Sequence, residues 1–220
     1  MNLVYGTLLF DLDGTLTDPG EGIINSVLYA VDRMGLNEDD PPGLREYIGP
    51  PLMELFHGRY GLGEEDTWRA IRYYREYFAA NGLYQNKVYK GVPELLTDLQ
   101  KRRMTLAVAT SKPLIYTVEI LKHFGLSAYF AVVAGSELDG SRSRKADVIA
   151  YALRQMEPAA PSRGAVLMVG DRSHDVFGAR ENGLDCLGVT YGYGTAAELT
   201  AAGVIALVST PLEIVRFLEE

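Results

Sequence analysis

Cysteine is almost missing from this sequence. Cys186 is the only one in 220 residues, so an intrachain disulfide and a cysteine-based zinc site are both excluded. Long apolar runs are missing too, since no segment approaches the roughly 20 consecutive apolar residues that a membrane-spanning helix needs. The residues up to Asp11 carry no basic stretch followed by an apolar run, the pattern of a secretory signal. There is no basic block either. The formal net charge is −8, with both signs mixed along the chain, which argues against nucleic-acid binding through a basic stripe. A small anionic substrate stays open, because a bound cation and one or two lysines can reverse a local field. The expectation is a cytoplasmic protein with neither a membrane nor a nucleic acid as partner. Oligomeric state is not legible.

What is present suffices for a substantial core. Apolar residues make up 47% and charged residues 23%, and the length allows one core carrying a smaller inserted domain. Short β-rich runs recur at Thr7–Phe10, Thr105–Thr110, Ala131–Ala134, Ala165–Val169, Asp185–Thr190 and Val204–Val208. Most are apolar throughout, as strands covered on both faces should be. Helical periodicities lie between them: Leu95, Leu96 and Leu99 behind Pro93; Leu114, Ile115, Val118, Leu121 and Phe124; and Val148, Ile149, Leu153 and Met156. Such alternation predicts an α/β fold built on a doubly wound parallel sheet.

One stretch departs from this pattern. From Asp18 to about Gln85 the signals are helical only. Asp18, Pro19 and Glu21 form a helix-start signature, with a capping carboxylate and proline at the first position. The stripe Ile23, Ile24, Val27, Leu28, Val31 and Met34 follows and stops at Gly35. A second helix covers roughly Glu64–Ala80 with Ile71, Tyr74 and Phe78 on one face. Pro41-Pro42 and Pro50-Pro51 bound a short helix around Leu44–Tyr47. The expected division is therefore a core of residues 1–17 and 86–220 with a helical insertion of residues 18–85, hinged at Thr15–Pro19 and Gln85–Gly91.

The chemistry concentrates at strand ends. Asp11-Leu12-Asp13-Gly14-Thr15 follows the first strand, and two carboxylates at i and i+2 point to the same side of an extended chain. A capping Asp with an Asx turn would explain one of them, but it does not predict a second acidic pair after another strand. Asp171 and Asp175 supply that pair, directly after Gly170. In doubly wound sheets the ligand crevice lies at such ends. Four acidic groups converging there need a cation, and hard oxygen ligands suit Mg²⁺. Thr110-Ser111-Lys112-Pro113 follows another strand and is expected to open a helix, offering a hydroxyl and N–H groups to an anion. By itself it would be an ordinary helix cap. Lys145 sits near the start of the helix that runs to Met156, where a cation opposes the helix dipole unless an anion holds it. Alone it would be a solvated lysine.

Taken in order, Asp11-Leu12-Asp13-Gly14-Thr15, Thr110-Ser111-Lys112, Lys145 and Gly170-Asp171…Asp175 resemble the four motifs of the haloacid dehalogenase-like superfamily. The insertion after the first motif is similar to the cap of its phosphoglycolate phosphatase-like branch. Tyr47-Ile48-Gly49-Pro50-Pro51-Leu52, Leu138-Asp139-Gly140-Ser141-Arg142 and Val189-Thr190-Tyr191-Gly192-Tyr193-Gly194 resemble strings of bacterial phosphatases and 5′-nucleotidases. The resemblance implies a Mg²⁺-dependent phosphatase acting on small phosphate monoesters, whether nucleoside monophosphate, phosphoglycolate or sugar phosphate. It makes Asp11 the nucleophile and Asp13 the acid and base. The metal would be held by Asp11, the main-chain carbonyl of Asp13, and Asp171, with Asp175 fixing a metal water or Lys145. Thr110, the Ser111 N–H and Lys145 would hold the phosphoryl oxygens. Arg45, in the insertion, is the lead candidate for contacting the rest of the substrate.

Other residues carry less. His174 and Arg172 are expected at the surface, His57 and His123 lack ligand spacing, and Tyr73, Tyr74 and Tyr77 are expected to pack the insertion. The alternatives are a β-phosphoglucomutase-type mutase, sharing core and cap, and a noncatalytic sensor of phosphorylated metabolites. The pairing of Asp11 with Asp13 speaks against the sensor, since binding needs no nucleophile.

Overall fold

The computed structural model describes residues 5–156 and 166–219. The chain divides into two compact units, one made of the chain up to Thr17 and from Val88 onward, the other of Asp18–Lys87.

In the first unit, β1 (Thr7–Phe10), β4 (Thr105–Pro113), β5 (Val132–Ser136), β6 (Val166–Gly170), β7 (Asp185–Val189) and β8 (Ala206–Val208) form one sheet in the order β5-β4-β1-β6-β7-β8. Every pairing is parallel. The crossovers are the helices α4 (Val92–Lys101), α5 (Leu114–His123), α6 (Lys145–Met156), α7 (Ser173–Glu181) and α8 (Ala196–Ala202), with α9 (Pro211–Phe217) closing the chain. Leu9 packs in one cluster with Val148, Ile149 and Ala152 of α6 and Val176 and Ala179 of α7. Leu8 and Phe10 must point the other way, and they too are fully buried. Coverage on both faces is why the strands read as continuous apolar runs.

The second unit is mainly helical. In it α1 (Gly20–Arg33) sets Ile23, Val27 and Val31 against α3 (Glu64–Tyr77), whose inward residues include Ile71 and Tyr74. A 3₁₀ turn, Pro41–Tyr47, and a short α2 (Leu52–Glu54) connect them. The two-residue strand segments β2 (Thr17–Asp18) and β3 (Lys87–Val88) mark where the chain leaves the first unit and returns to it.

Several expectations shift. Pro19 precedes α1 rather than opening it, and Asp18 accepts a hydrogen bond from the N–H of Gly20 at 3.2 Å. In α5 the buried positions are Thr117, Ile120 and Leu121, while Ile115 and Val118 are exposed. The buried line is thus shifted from the expected stripe and shares only Leu121 with it, while Ile115 and Val118 stand in solvent. The helix expected to run to Ala80 is regular to Tyr77 and then widens into a π-turn over Phe78–Gly82, with Phe78 buried. The last two strands end at Val189 and begin at Ala206. Ala165, the expected first residue of a strand, lies outside the described residues; that strand is seen from Val166. The largest shift concerns Thr110–Pro113, which continues β4 instead of opening a helix.

Candidate active site

Register positions the site. Phe10 lies beside Val108 of β4 and Val169 of β6, so the chain beyond β1, β4 and β6 emerges at one edge of the sheet. β1 is also where chain order reverses, the place where doubly wound sheets bind ligands. The Asp11 N–H still donates to the Val169 carbonyl, at 2.9 Å. The chain then folds back on itself, with the Leu16 and Thr17 N–H groups donating to the Leu12 carbonyl. Gly14 makes this turn at φ +86°, and a Cβ there would overlap the Asp171 carboxylate. Glycine is thus required both for the left-handed conformation and for the approach of Asp171.

Asp11, Asp13, Asp171 and Asp175 are all buried, as are Lys112 and Lys145. Lys145 Nζ lies 2.7 Å from Asp11 Oδ1 and 2.8 Å from Asp175 Oδ1, and donates to the Ala109 carbonyl at 3.2 Å. Lys112 Nζ donates to Asp13 Oδ2 at 2.6 Å. Asp171 accepts from Thr15 Oγ1 at 3.3 Å and from the Tyr193 N–H at 2.8 Å. Asp175 Oδ2 accepts from the Arg172 N–H at 3.1 Å, in the first turn of α7.

The charges do not close. Four carboxylates face two ammonium groups, an excess of two negative charges in a buried space. Burial pushes the Asp171 carboxyl well above the usual range, and Asp175 and Asp11 add to the rise. Burial likewise raises Asp13 and Asp175, against the opposing pull of Lys112 and Lys145 respectively. Burial alone would pull Lys145 down, but Asp11 and Asp175 outweigh it and hold the ammonium above its ordinary value. Asp11 Oδ1 and Asp175 Oδ1 both lie against the Lys145 ammonium, and Asp13 Oδ1 is buried without a hydrogen-bond partner among the described residues.

These residues fit a metal ion. Asp11, Asp171 and Asp175 can each bring one carboxylate oxygen within 4.8 Å of the others. An all-oxygen, doubly negative, water-poor site suits a hard divalent cation. The Asp13 carboxylate stands outside that trio, because Lys112 holds it.

Residues 8–189 match the family described as haloacid dehalogenase-like hydrolase. The chain belongs to that family. Within it, this chain is a hydrolase of phosphoric monoesters. It is 48% identical over 199 residues to a 5′-nucleotidase of Pseudomonas aeruginosa, covering 90% of this chain and 89% of that one. It is 43% identical over 189 residues to the tyrosine-protein kinase PtkA of Mycobacterium tuberculosis, covering 86% of this chain but only 63% of PtkA. Among solved structures, a predicted phosphatase from Clostridium acetobutylicum superposes with a TM-score of 0.92 at 44% identity, covering 98% of this chain and 99% of that one.

The other named residues divide. Thr110 is buried beside this cluster in sequence, its hydroxyl accepting from the Lys112 N–H at 3.2 Å. The Ser111 carbonyl accepts from Ser136 at 2.7 Å. Arg45 belongs to the other unit, on the exposed side of the 3₁₀ turn. His57, His123 and His174 are exposed, and Arg172 reaches Glu198 at 3.2 Å. Tyr74 stacks on Phe78, and Tyr77 tilts against Tyr29. Among the described residues no helix is long and apolar enough to cross a membrane. Lys112 has no expected role above, although its place two residues after Thr110 puts both on one side of an extended chain. That spacing carries the signal only because the segment continues β4 instead of starting a helix.

Proposed function

We propose that this enzyme hydrolyses small phosphate monoesters through a phosphoryl group carried on Asp11, with nucleoside 5′-monophosphates as the first substrate class to test. The observation that carries the proposal is the buried excess of four carboxylates over two ammonium groups at the β1 and β6 ends, with Asp13 Oδ1 left without a hydrogen bond. The substrate class follows from the name of the Pseudomonas relative, which shares 48% of aligned residues. Asp11 and Asp171, with Asp175 beside them and the Asp13 main-chain carbonyl, would hold Mg²⁺. When bound, that ion would neutralise charge on the phosphoryl oxygens and on the attacking carboxylate.

The chain's own residues supply the rest. An Asp11 oxygen forms a bond to phosphorus as the bond to the leaving oxygen breaks. Asp13 gives that oxygen its proton. Water then attacks phosphorus, Asp13 takes the water's proton, and the Asp11–phosphorus bond breaks to release inorganic phosphate. Splitting one displacement into two is the purpose of the covalent intermediate. Asp13 suits the task because burial favours its protonated form while the Lys112 ammonium favours the charged one. Lys145, together with Thr110 and the Ser111 N–H, would hold the phosphoryl oxygens, where fixed positive charge is most effective. The inserted unit, which leaves the chain just after Asp13, would recognise the leaving group, with Arg45 as its lead contact.

The test is phosphate release from nucleoside monophosphates, phosphoglycolate and hexose phosphates, with and without Mg²⁺, joined to acid-quenched capture of phosphate on the protein. Release that requires Mg²⁺ and label that maps to Asp11 support the reading. Phosphate passed to a tyrosine peptide or a second sugar hydroxyl instead of water would move the enzyme toward a kinase or a mutase.

A further inference from the structure

The string Thr190-Tyr191-Gly192-Tyr193-Gly194 follows β7 and has no role in the chemistry above. It nevertheless hydrogen-bonds the site at two points. The Tyr193 N–H donates to Asp171 Oδ2 at 2.8 Å, and the Tyr191 hydroxyl donates to the Thr15 carbonyl at 3.0 Å. Thr15 Oγ1 in turn donates to Asp171 Oδ1 at 3.3 Å. These three hydrogen bonds form a closed circuit through Asp171, Thr15, Tyr191 and Tyr193 that fixes both oxygens of one carboxylate. Gly192 lets the loop close, since a Cβ there would overlap the Gly14 carbonyl and lie 2.5 Å from Asp171 Cβ.

The same tyrosine reaches the chain's two crossings between units. Thr15 and Leu16 immediately precede the departure at Thr17–Asp18. Tyr89 follows the return at Lys87–Val88, and its ring meets that of Tyr191 edge-on, with centroids 5.0 Å apart. The Tyr89 N–H donates to the Leu16 carbonyl at 3.1 Å, tying departure to return. One side chain therefore bonds the outgoing chain at Thr15 with its hydroxyl, packs the returning chain at Tyr89 with its ring, and sits two residues from the N–H that orients Asp171.

From this we propose that Tyr191 is a positioning residue that couples occupancy of the metal site to the order of both crossings. A cation on Asp171 fixes the carboxylate, the carboxylate fixes Thr15 and the Tyr191 loop, and Tyr191 packs Tyr89, whose N–H holds Leu16. The coupling is reciprocal by thermodynamic necessity. The proposal rests on Asp171 holding a metal, and its experiment separates the two ideas.

The experiment measures Mg²⁺ binding by titration calorimetry and hydrogen exchange in peptides covering Thr15–Thr17 and Tyr89–Lys90, on the full chain with and without Mg²⁺. In the wild type, Mg²⁺ should slow exchange in both peptides. Tyr191→Phe keeps the ring and removes one hydrogen bond, so Mg²⁺ affinity should fall about two- to tenfold and the protection of Thr15–Thr17 should shrink. Its turnover should recover when Mg²⁺ is raised, which a general folding defect would not allow. Tyr89→Leu removes the ring contact and keeps the hydroxyl, so it should loosen Tyr89–Lys90 with a smaller loss of affinity. Mg²⁺ that binds the wild type and leaves both peptides unchanged overturns the coupling alone, as does wild-type affinity and protection in Tyr191→Phe. No Mg²⁺ binding to the wild type overturns the metal assignment, and the coupling falls with it.

Discussion

Two clusters of buried or half-buried charge stand in this molecule, one in each unit, and they are built on opposite terms. In the inserted unit, Glu38 accepts from Arg59 at 2.5 and 2.8 Å, and from Tyr60. The Asp40 N–H also donates to Glu38 at 2.9 Å, and Arg59 reaches the Asp40 carbonyl at 3.0 Å. One negative charge meets one positive charge, and both Glu38 oxygens are engaged. The Arg59 guanidinium, outweighing the cost of burial, draws the Glu38 carboxyl down to about 2. At the β1 and β6 ends the balance fails, and buried carboxylates are pushed upward instead. A satisfied ionic cluster stabilises its own unit and asks for nothing more. An unsatisfied one costs stability, and it persists where a ligand is meant to complete it.

The sharpest way to break this contrast is Asp11→Asn. Turnover should fall on the order of 10⁴-fold or more, because an amide cannot form the acyl phosphate. Unfolding of the metal-free protein by urea should meanwhile be unchanged or harder, since the cluster's excess of negative charge falls by one while Lys145 keeps Asp175 as a partner. Near-wild-type turnover would end the assignment of Asp11.

Metal removal comes next. Exhaustive chelation should stop phosphate release, Mg²⁺ should restore it, and Ca²⁺ should inhibit by taking more ligands at longer distances. Mg²⁺ at a hundredfold its dissociation constant should add about 2.7 kcal/mol to unfolding stability. Glu38→Gln should leave that increment intact. Full activity after chelation would show that the excess negative charge is not a metal site.

A smaller effect separates chemistry from specificity. Arg45→Ala should lower kcat/KM for the preferred metabolite roughly ten- to a hundredfold, the loss of a charge-assisted contact of about 1.5–3 kcal/mol. p-Nitrophenyl phosphate, whose leaving group offers little to recognise, should be hydrolysed almost as before. Equal losses on both substrates would make Arg45 structural.

The smallest effect belongs to the satisfied cluster. Glu38→Gln should destabilise the protein by about 1–3 kcal/mol with little change in turnover at saturating substrate. Because the folded-state value lies below the ordinary 4.5, the charged form is the one folding favours. The stabilisation is therefore present above pH 4.5 and fades as the pH falls toward about 2. Urea titrations of wild type and variant at several acidic pH values should converge across that window. A gap that persists at its low end would place the contribution elsewhere.

The alternation of strands and helices and the two acidic pairs are legible along the chain, because each is written in local order. Continuous apolar runs mark doubly covered strands, and Asp11-Leu12-Asp13 declares its spacing without help from any other segment. Which groups meet is set by folding alone. The pairing of Lys112 with Asp13 joins residues 99 positions apart, and it depends on β4 continuing through Pro113 beside β5, a preference no local propensity carries. The Tyr191 hydroxyl finds Thr15 across 176 positions, because parallel register brings the ends of β1 and β7 to the same edge. The imbalance of charge is likewise invisible along the chain, where −8 is spread thinly. It arises only when folding removes water from four carboxylates and supplies two lysines to answer them.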